Sequence, residues 1–186
     1  LMALCVYQRK HPTSQAPSPE VSGSFIIRFL WVFAAAYFIT LLWRLPLAYP
    51  HRDDTLSYHL PFVVEWMQNH SLSLPDFMRI RSEQGYPAGH EMLVHWLMAP
   101  LKSDLFAIPL GVLTLAGLGV AMLSLADKAG LSRKTAGLCV LLVITCPLSE
   151  WLAFNLHVDL AYAFFWTCAV SFALSAIQRG DRLSLL

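Results

Sequence analysis

Four apolar runs, long and nearly free of charge, decide what this chain can become. The first is Phe25–Tyr49 (FIIRFLWVFAAAYFITLLWRLPLAY), the second Leu105–Leu125, the third Ala136–Pro147 and the fourth Leu160–Ile177. A helix needs about 20 apolar residues to cross the hydrocarbon of a bilayer. The first run reaches that length, and the third does so only by borrowing residues on both sides. Hydrocarbon offers a backbone no partner but itself, so each run is expected to be helical. Only 13% of the residues are charged, against about a quarter in soluble domains. The expected fold class is therefore an all-α polytopic membrane protein with about four transmembrane helices. A net charge of +1 with no basic stripe argues against a nucleic-acid partner. Cys5, Cys139, Cys146 and Cys168 form no CxxC pair and read as small hydrophobes, with neither a disulfide nor a metal assigned to them.

Residues 1–23 are polar and rich in Pro and Ser, a flexible lead-in to a membrane domain over 24–186. That linker separates Arg9 and Lys10 from the first long run, which fits a retained anchor better than a cleaved signal. Arg28 and Arg44 near the ends of the first span can extend their charged heads to the two interfaces. The chain opens on Leu and stops a few residues after the last run, so it reads as part of a longer protein.

Residues 50–103 form a long loop with structure of its own. A helix is expected over about 55–69, with Leu56, Leu60, Val63, Val64 and Met67 as its apolar stripe. Asp54 or Thr55 can cap it, and Pro61 should bend it or delay its start. Its amphipathic character suits a position along the membrane interface. The bend SEQGYPAGHE and a short apolar helix, Glu91–Leu101, follow. Residues 149–159 (SEWLAFNLHVD) read as a polar interruption before the fourth span.

Lys128, Arg133 and Lys134 lie in the short second connection, and Arg179 and Arg182 follow the fourth span. By the positive-inside rule, the N-terminus, this connection and the C-terminus are cytoplasmic, and 50–103 and 149–159 face outward. Asp53, Asp54, Glu65, Asp76, Glu83, Glu91, Asp104, Glu150 and Asp159 then all fall on the outer side.

Asp53 and Asp54 stand where the chain leaves the first span. Two adjacent carboxylates repel, which raises one pKa unless cations or donors compensate. Such a pair can act as a general base or hold a divalent cation bridging a phosphate. Equally, it can be a helix cap favoured by the dipole. Asp159, within LHVDLAYAFF, is a carboxylate at the membrane edge, facing either a wet cavity or the headgroups. GHEMLVH is not a zinc-protease motif: His90 and His95 are five residues apart, about 140° around a helix. Arg52, Arg79 and Arg81 can bind phosphate oxygens or lipid headgroups, and His51, His59 and His90 can approach a phosphate. Tyr58, Trp66, Tyr86 and Trp96 can stack on a sugar or sit in an aromatic belt.

Taken in order, RDDTLSYHLPFVVEWMQNHSL, GYPAGHEMLVHWLMAPL and FNLHVDLAYAFF resemble the GT-C membrane glycosyltransferases. The likeness is to the protein O-mannosyltransferase and aminoarabinose transferase-like branch, over most of residues 25–180. That resemblance implies transfer of a sugar from a polyprenyl-phosphate donor to a lipid, glycan or protein acceptor, outside a bacterial-type cytoplasmic membrane. It implies Asp53 as the base or acceptor-activating carboxylate, Asp54 as its support or a cation ligand, and Asp159 as a wall of the site. Arg52, Tyr58, His59, Tyr86, His90 and Glu91 would form the substrate-binding set. The family's members have many more spans, so this chain corresponds to their N-terminal portion. The Glu-Lys-Pro bend of the aminoarabinose branch is replaced here by GYPAG. Two other readings stand beside this one. One is a transporter or channel fragment with Asp159 and the outer carboxylates as cation or proton sites. The other is a structural subunit in which Asp53 and Asp54 are only a cap.

Overall fold

The computed structural model describes residues 21–47, 55–73 and 88–179. The lead-in over 1–20 lies outside these residues, as do Asp53, Asp54 and most of the SEQGYPAGHE bend. The described chain is all-α. Helix α1 is Val21–Arg44, ending in a 3-10 turn at Leu45–Leu47. A π-helical turn, Thr55–His59, leads into α2, Leu60–Asn69. Helix α3 is Gly89–Met98, and a 3-10 turn at Asp104–Phe106 opens α4, Ala107–Lys128. Then come α5 (Arg133–Ile144), α6 (Pro147–Phe154) and α7 (Val158–Arg179).

Among the described residues, Phe25–Leu47, Asp104–Lys128 and Val158–Gln178 are each long and apolar enough to cross a membrane. The third expected span is interrupted: α5 and α6 meet at a 56° bend, and counted as one they are long and apolar enough for a fourth crossing. Pro147 stands in the first turn of α6, where its missing N–H costs nothing, so the chain turns at Thr145–Cys146 and restarts as helix. Residues 149–154, expected to be a polar interruption, therefore belong to a helix. Phe25, Phe29, Trp31, Val32 and Trp43 on α1, and Tyr162, Phe165, Trp166 and Phe172 on α7, are exposed. Apolar surface on this scale belongs in lipid, and the protein is an all-α polytopic membrane protein.

Helices α4 and α7 run parallel, because α5–α6 carries the chain back between them. Gly117 meets Phe164, Ser124 lies 3.1 Å from Ser171, and Gln178 donates to the Lys128 carbonyl at 2.8 Å. Lys128 adds bonds to Ser124 (2.6 Å) and Ser171 (2.8 Å), closing that end of the bundle. The chain reverses after it through Gly130 at φ 76°, a left-handed position that suits glycine, and Ser132 caps α5 through the Thr135 amide. Helix α1 runs parallel to α5–α6, and so antiparallel to α4: Leu30 approaches Gly137, and Arg44 pairs with Glu150. Arg44 also lies 5.1 Å above the Phe154 ring. It is thus tied to α6 rather than extended towards headgroups, as the sequence suggested.

This packing gives the bundle two unlike ends. One carries Lys128, Arg133 and Lys134, and the other carries Glu91, Asp104, Glu150 and Asp159. The core between them is Leu41, Ile108, Val112, Leu115, Leu118, Val140, Ile144, Phe154 and Leu160. Its tightest point is Gly111, where a Cβ would stand 1.9 Å from the Ala153 carbonyl oxygen. Backbone cannot yield as a side-chain tip can. Gly111→Ala should therefore destabilise the bundle by about 1–3 kcal/mol or force α6 away from α4. Thermal unfolding in detergent would measure this, with Gly89→Ala as the neutral control, since nothing lies near that position.

Candidate functional site

At the carboxylate-bearing end, three stretches far apart in sequence converge: Thr55–His59, the start of α3, and the α6–α7 link. Helix α2 brings the first. Its α-helical part begins only at Leu60, with Pro61 in the first turn, as the proline led one to expect. The residues before it form the π-helical turn instead. The buried face of this segment is Thr55, His59, Phe62, Val63 and Trp66. That differs from the expected stripe: Leu56 and Val64 are exposed, while Leu60 and Met67 are only partly covered. The turn presents two polar side chains inward, because both have partners there. Thr55 donates its hydroxyl to the Asn155 carbonyl, so it ties two segments together rather than capping a helix.

His59 Nδ1 stands 2.5 Å from Glu91 Oε1, and both side chains are buried. Burial of a carboxylate is costly unless it is paired and hydrogen-bonded, and this contact satisfies one oxygen. Burial alone would push the Glu91 carboxyl up. The His59 hydrogen bond, its own backbone amide and the neighbouring imidazoles outweigh that and hold it below the usual carboxylate value. His90, beside it on α3, is pushed down chiefly by burial, against the opposing pull of the Glu91 charge.

The third stretch supplies Asn155, Leu156 and His157, all buried. Leu156 adopts φ 53°. That left-handed backbone costs roughly 1–2 kcal/mol, offset by roughly 1.5–3 kcal/mol from burying its side chain with Val63, Val94, Met98 and Ala107. The kink turns the His157 ring inward, where it stacks on Trp151 at 4.4 Å. The rings of His90 and His157 lie 6.1 and 6.5 Å from that of His59, both edge-on. His59 is thus the centre of a three-imidazole cluster with one carboxylate.

The expected site residues divide accordingly. His59, His90 and Glu91 are brought together and buried, and Tyr58 packs its ring 4.1 Å from that of His59. Asp159, in the first turn of α7, keeps its side chain 72% exposed and 3.9 Å from His157 Nδ1. Asp53, Asp54, Arg52 and Tyr86, together with His51, Arg79 and Arg81, lie outside the described residues. Asp54 nevertheless immediately precedes Thr55, whose side chain anchors on Asn155. Among the described residues, no group of three His, Cys, Asp or Glu side chains is arranged to hold a metal ion.

Sequence reasoning passed over Asn155, took Thr55 only as a helix cap, and gave His157 no part in the site. No motif marks them; only the adjacency of His157 to Asp159 was a signal. Of the aromatics, Trp66 is buried and donates to the Ser73 carbonyl at 2.7 Å, while Trp96 is exposed. Trp96 lines a groove of about 960 Å³ between α2 and α3, with His70, His95 and Lys102.

Both shifted groups predict acid sensitivity. His90 takes up a proton more readily unfolded than folded, so stability is full at neutral pH and falls as pH drops below about 6.5. Glu91, with its folded value depressed, contributes stability that is lost at still lower pH. Amide exchange across 89–98 should therefore quicken between about pH 7 and about pH 5, and His90→Gln should flatten that step. Comparison with known protein families, curated proteins and solved structures finds no match for this chain.

Proposed function

We propose that this chain is the N-terminal part of a membrane glycosyltransferase that moves a sugar from a polyprenyl-phosphate donor to an acceptor. One observation supports this reading above the others. The segments that resemble the GT-C enzymes, separated in sequence by tens of residues, meet at one end of the bundle around a buried carboxylate and three imidazoles. A structural subunit has no need to bury Glu91 and His59 there, because apolar residues of similar size pack at no smaller gain.

In this reading the carboxylate-bearing end faces outward from a bacterial-type cytoplasmic membrane. The basic turn at Lys128–Lys134 faces the cytoplasm, as the positive-inside rule requires. Asp53 engages the acceptor hydroxyl, Asp54 supports it, and Asp159 forms a wall of the site. A lipid-linked donor accounts for a site at the end of the spans, with its prenyl chain in the bilayer and its phosphate at the interface. The acceptor oxygen attacks the anomeric carbon as the bond to the phosphate oxygen breaks. The catalytic requirement is a base near the hydroxyl and compensation of the phosphate charge. Arg52, two residues ahead of Asp54, is the cation this reading assigns to the phosphate.

One feature favours a second reading. The 56° break between α5 and α6 is of the kind found in transporters, where interrupted helices line ion sites. Asp159 and its neighbours would then bind a proton or cation in transit.

The two readings part on one substitution. Asp53→Asn should abolish release of polyprenyl phosphate from polyprenyl-phosphate sugars in membranes, while insertion and expression stay unchanged. Transfer at the wild-type rate by this variant would remove the enzymatic assignment. Cysteine-accessibility mapping should also label residues in 50–103 from outside and residue 132 only from the cytoplasm. Labelling in the opposite sense would overturn the orientation.

A further inference from the structure

The buried pair sits at the inner end of a line of titratable groups that reaches solvent. From Glu91 Oε1 the line passes 2.5 Å to His59 Nδ1. It then crosses between the His59 and His157 rings, whose centres are 6.5 Å apart. Finally His157 Nδ1 faces Asp159 Oδ2 at 3.9 Å, and Asp159 is exposed. His59 Nε2 is buried and has no hydrogen-bond partner among the described residues. With Nδ1 turned to Glu91, Nε2 is the nitrogen left to exchange a proton.

We propose that Asp159, His157 and His59, backed by Glu91, form a proton relay that takes the acceptor hydroxyl's proton from the exposed edge of the site into its interior. The inference rests on the glycosyl-transfer reading and adds the route and destination of the proton. In the transfer step the acceptor O–H bond breaks as oxygen bonds to the anomeric carbon, and the electron pair of the old bond leaves on the phosphate oxygen. The base on the hydroxyl yields the proton to Asp159 at the edge, and from there it passes to His157 and then to His59 Nε2, through a water at each gap too wide for a direct hydrogen bond. Before it arrives, neutral His59 and ionised Glu91 make a buried pair of net negative charge. Afterwards they make a neutral ion pair. When product leaves, the proton returns by the same line to water.

The geometry around the relay suits the task. Trp151 stacks on His157 and holds its ring, and Thr55 fixes the turn that carries His59. The other titratable groups facing His59 are Tyr58, on its own turn, and His90 on α3. A protonated His90 would repel a proton on His59; its burial disfavours that charge. His59 and His157 carry the proton, and Glu91 is a positioning residue.

The test uses the protein in membranes with polyprenyl-phosphate mannose, glucose and aminoarabinose as probes, reading polyprenyl-phosphate release against pH. His59→Gln keeps a hydrogen bond to Glu91 but cannot carry a proton, and His157→Gln is the matching change further out. Each should slow release by about a hundredfold or more and erase the acid limb of the pH profile, with thermal unfolding unchanged. Both variants keeping the wild-type rate and profile would overturn the relay and leave the transferase reading standing. Exchange of the imidazole C–H with deuterium, read by mass spectrometry, tests the line without any substrate. His157→Gln should move the titration of His59, and Asp159→Asn that of His157. Independent titrations would overturn the relay even in a protein that releases no polyprenyl phosphate. The absence of release from wild type would overturn the transferase reading itself.

Discussion

The approach of α4 to α6 at Gly111 is the contact on which the carboxylate-bearing end depends. With no side chain at Gly111, the Ala153 backbone packs directly against α4. That seats α6 at its bend from α5 and sets the direction from which Asn155, Leu156 and His157 emerge. The Arg44–Glu150 pair and the cation–π contact on Phe154 hold the same short helix from the α1 side. Eight residues form a poor helix alone, and α6 is stabilised by neighbours on two sides. Everything the link then does follows from that seat: receiving Thr55, turning His157 inward and starting α7 at Asp159.

Polarity in this molecule is confined to ends for one reason. Hydrocarbon penalises unpaired polar groups by several kcal/mol each, so the spans carry few of them and pair those they have. Thr114, Thr145 and Thr167 each return their hydroxyl to the carbonyl four residues back, between 2.7 and 2.8 Å. Ser124, Ser171 and Lys128 bond to one another. The buried Glu91–His59 pair differs in kind. It couples α3 to the turn before α2 by a single contact, and it leaves His59 Nε2 buried without a hydrogen-bond partner among the described residues. Such a group is expensive if it serves only to join helices.

Much of the architecture could be read from the chain. Apolar length alone marked the spans over Phe25–Tyr49, Leu105–Leu125 and Leu160–Ile177, which fall on the long apolar helices of the structure, because helix is the one open structure hydrocarbon permits. Pro61 marked the start of α2 for an equally local reason, the missing N–H. Local rules failed where neighbours chose the outcome. The inward face of α2 was misassigned because His59 and Thr55 are polar by type, yet both are buried against partners about 30 and 100 residues away. Residues 149–154 looked polar through Ser149 and Glu150, but Arg44 pairs with Glu150 and the segment is helix.

What the sequence determined by itself is the membrane, most of the helices suited to cross it and the grouping of Lys128, Arg133 and Lys134 in one short connection. These follow from composition and hydrogen-bonding capacity, which are properties of each segment alone. Only the tertiary structure decided that His59, His90, Glu91 and His157 share one site, that Asp159 stays at its exposed edge, and that the third span is interrupted. Those outcomes depend on which distant groups come within a few ångströms, a matter of packing between helices that no single stretch encodes.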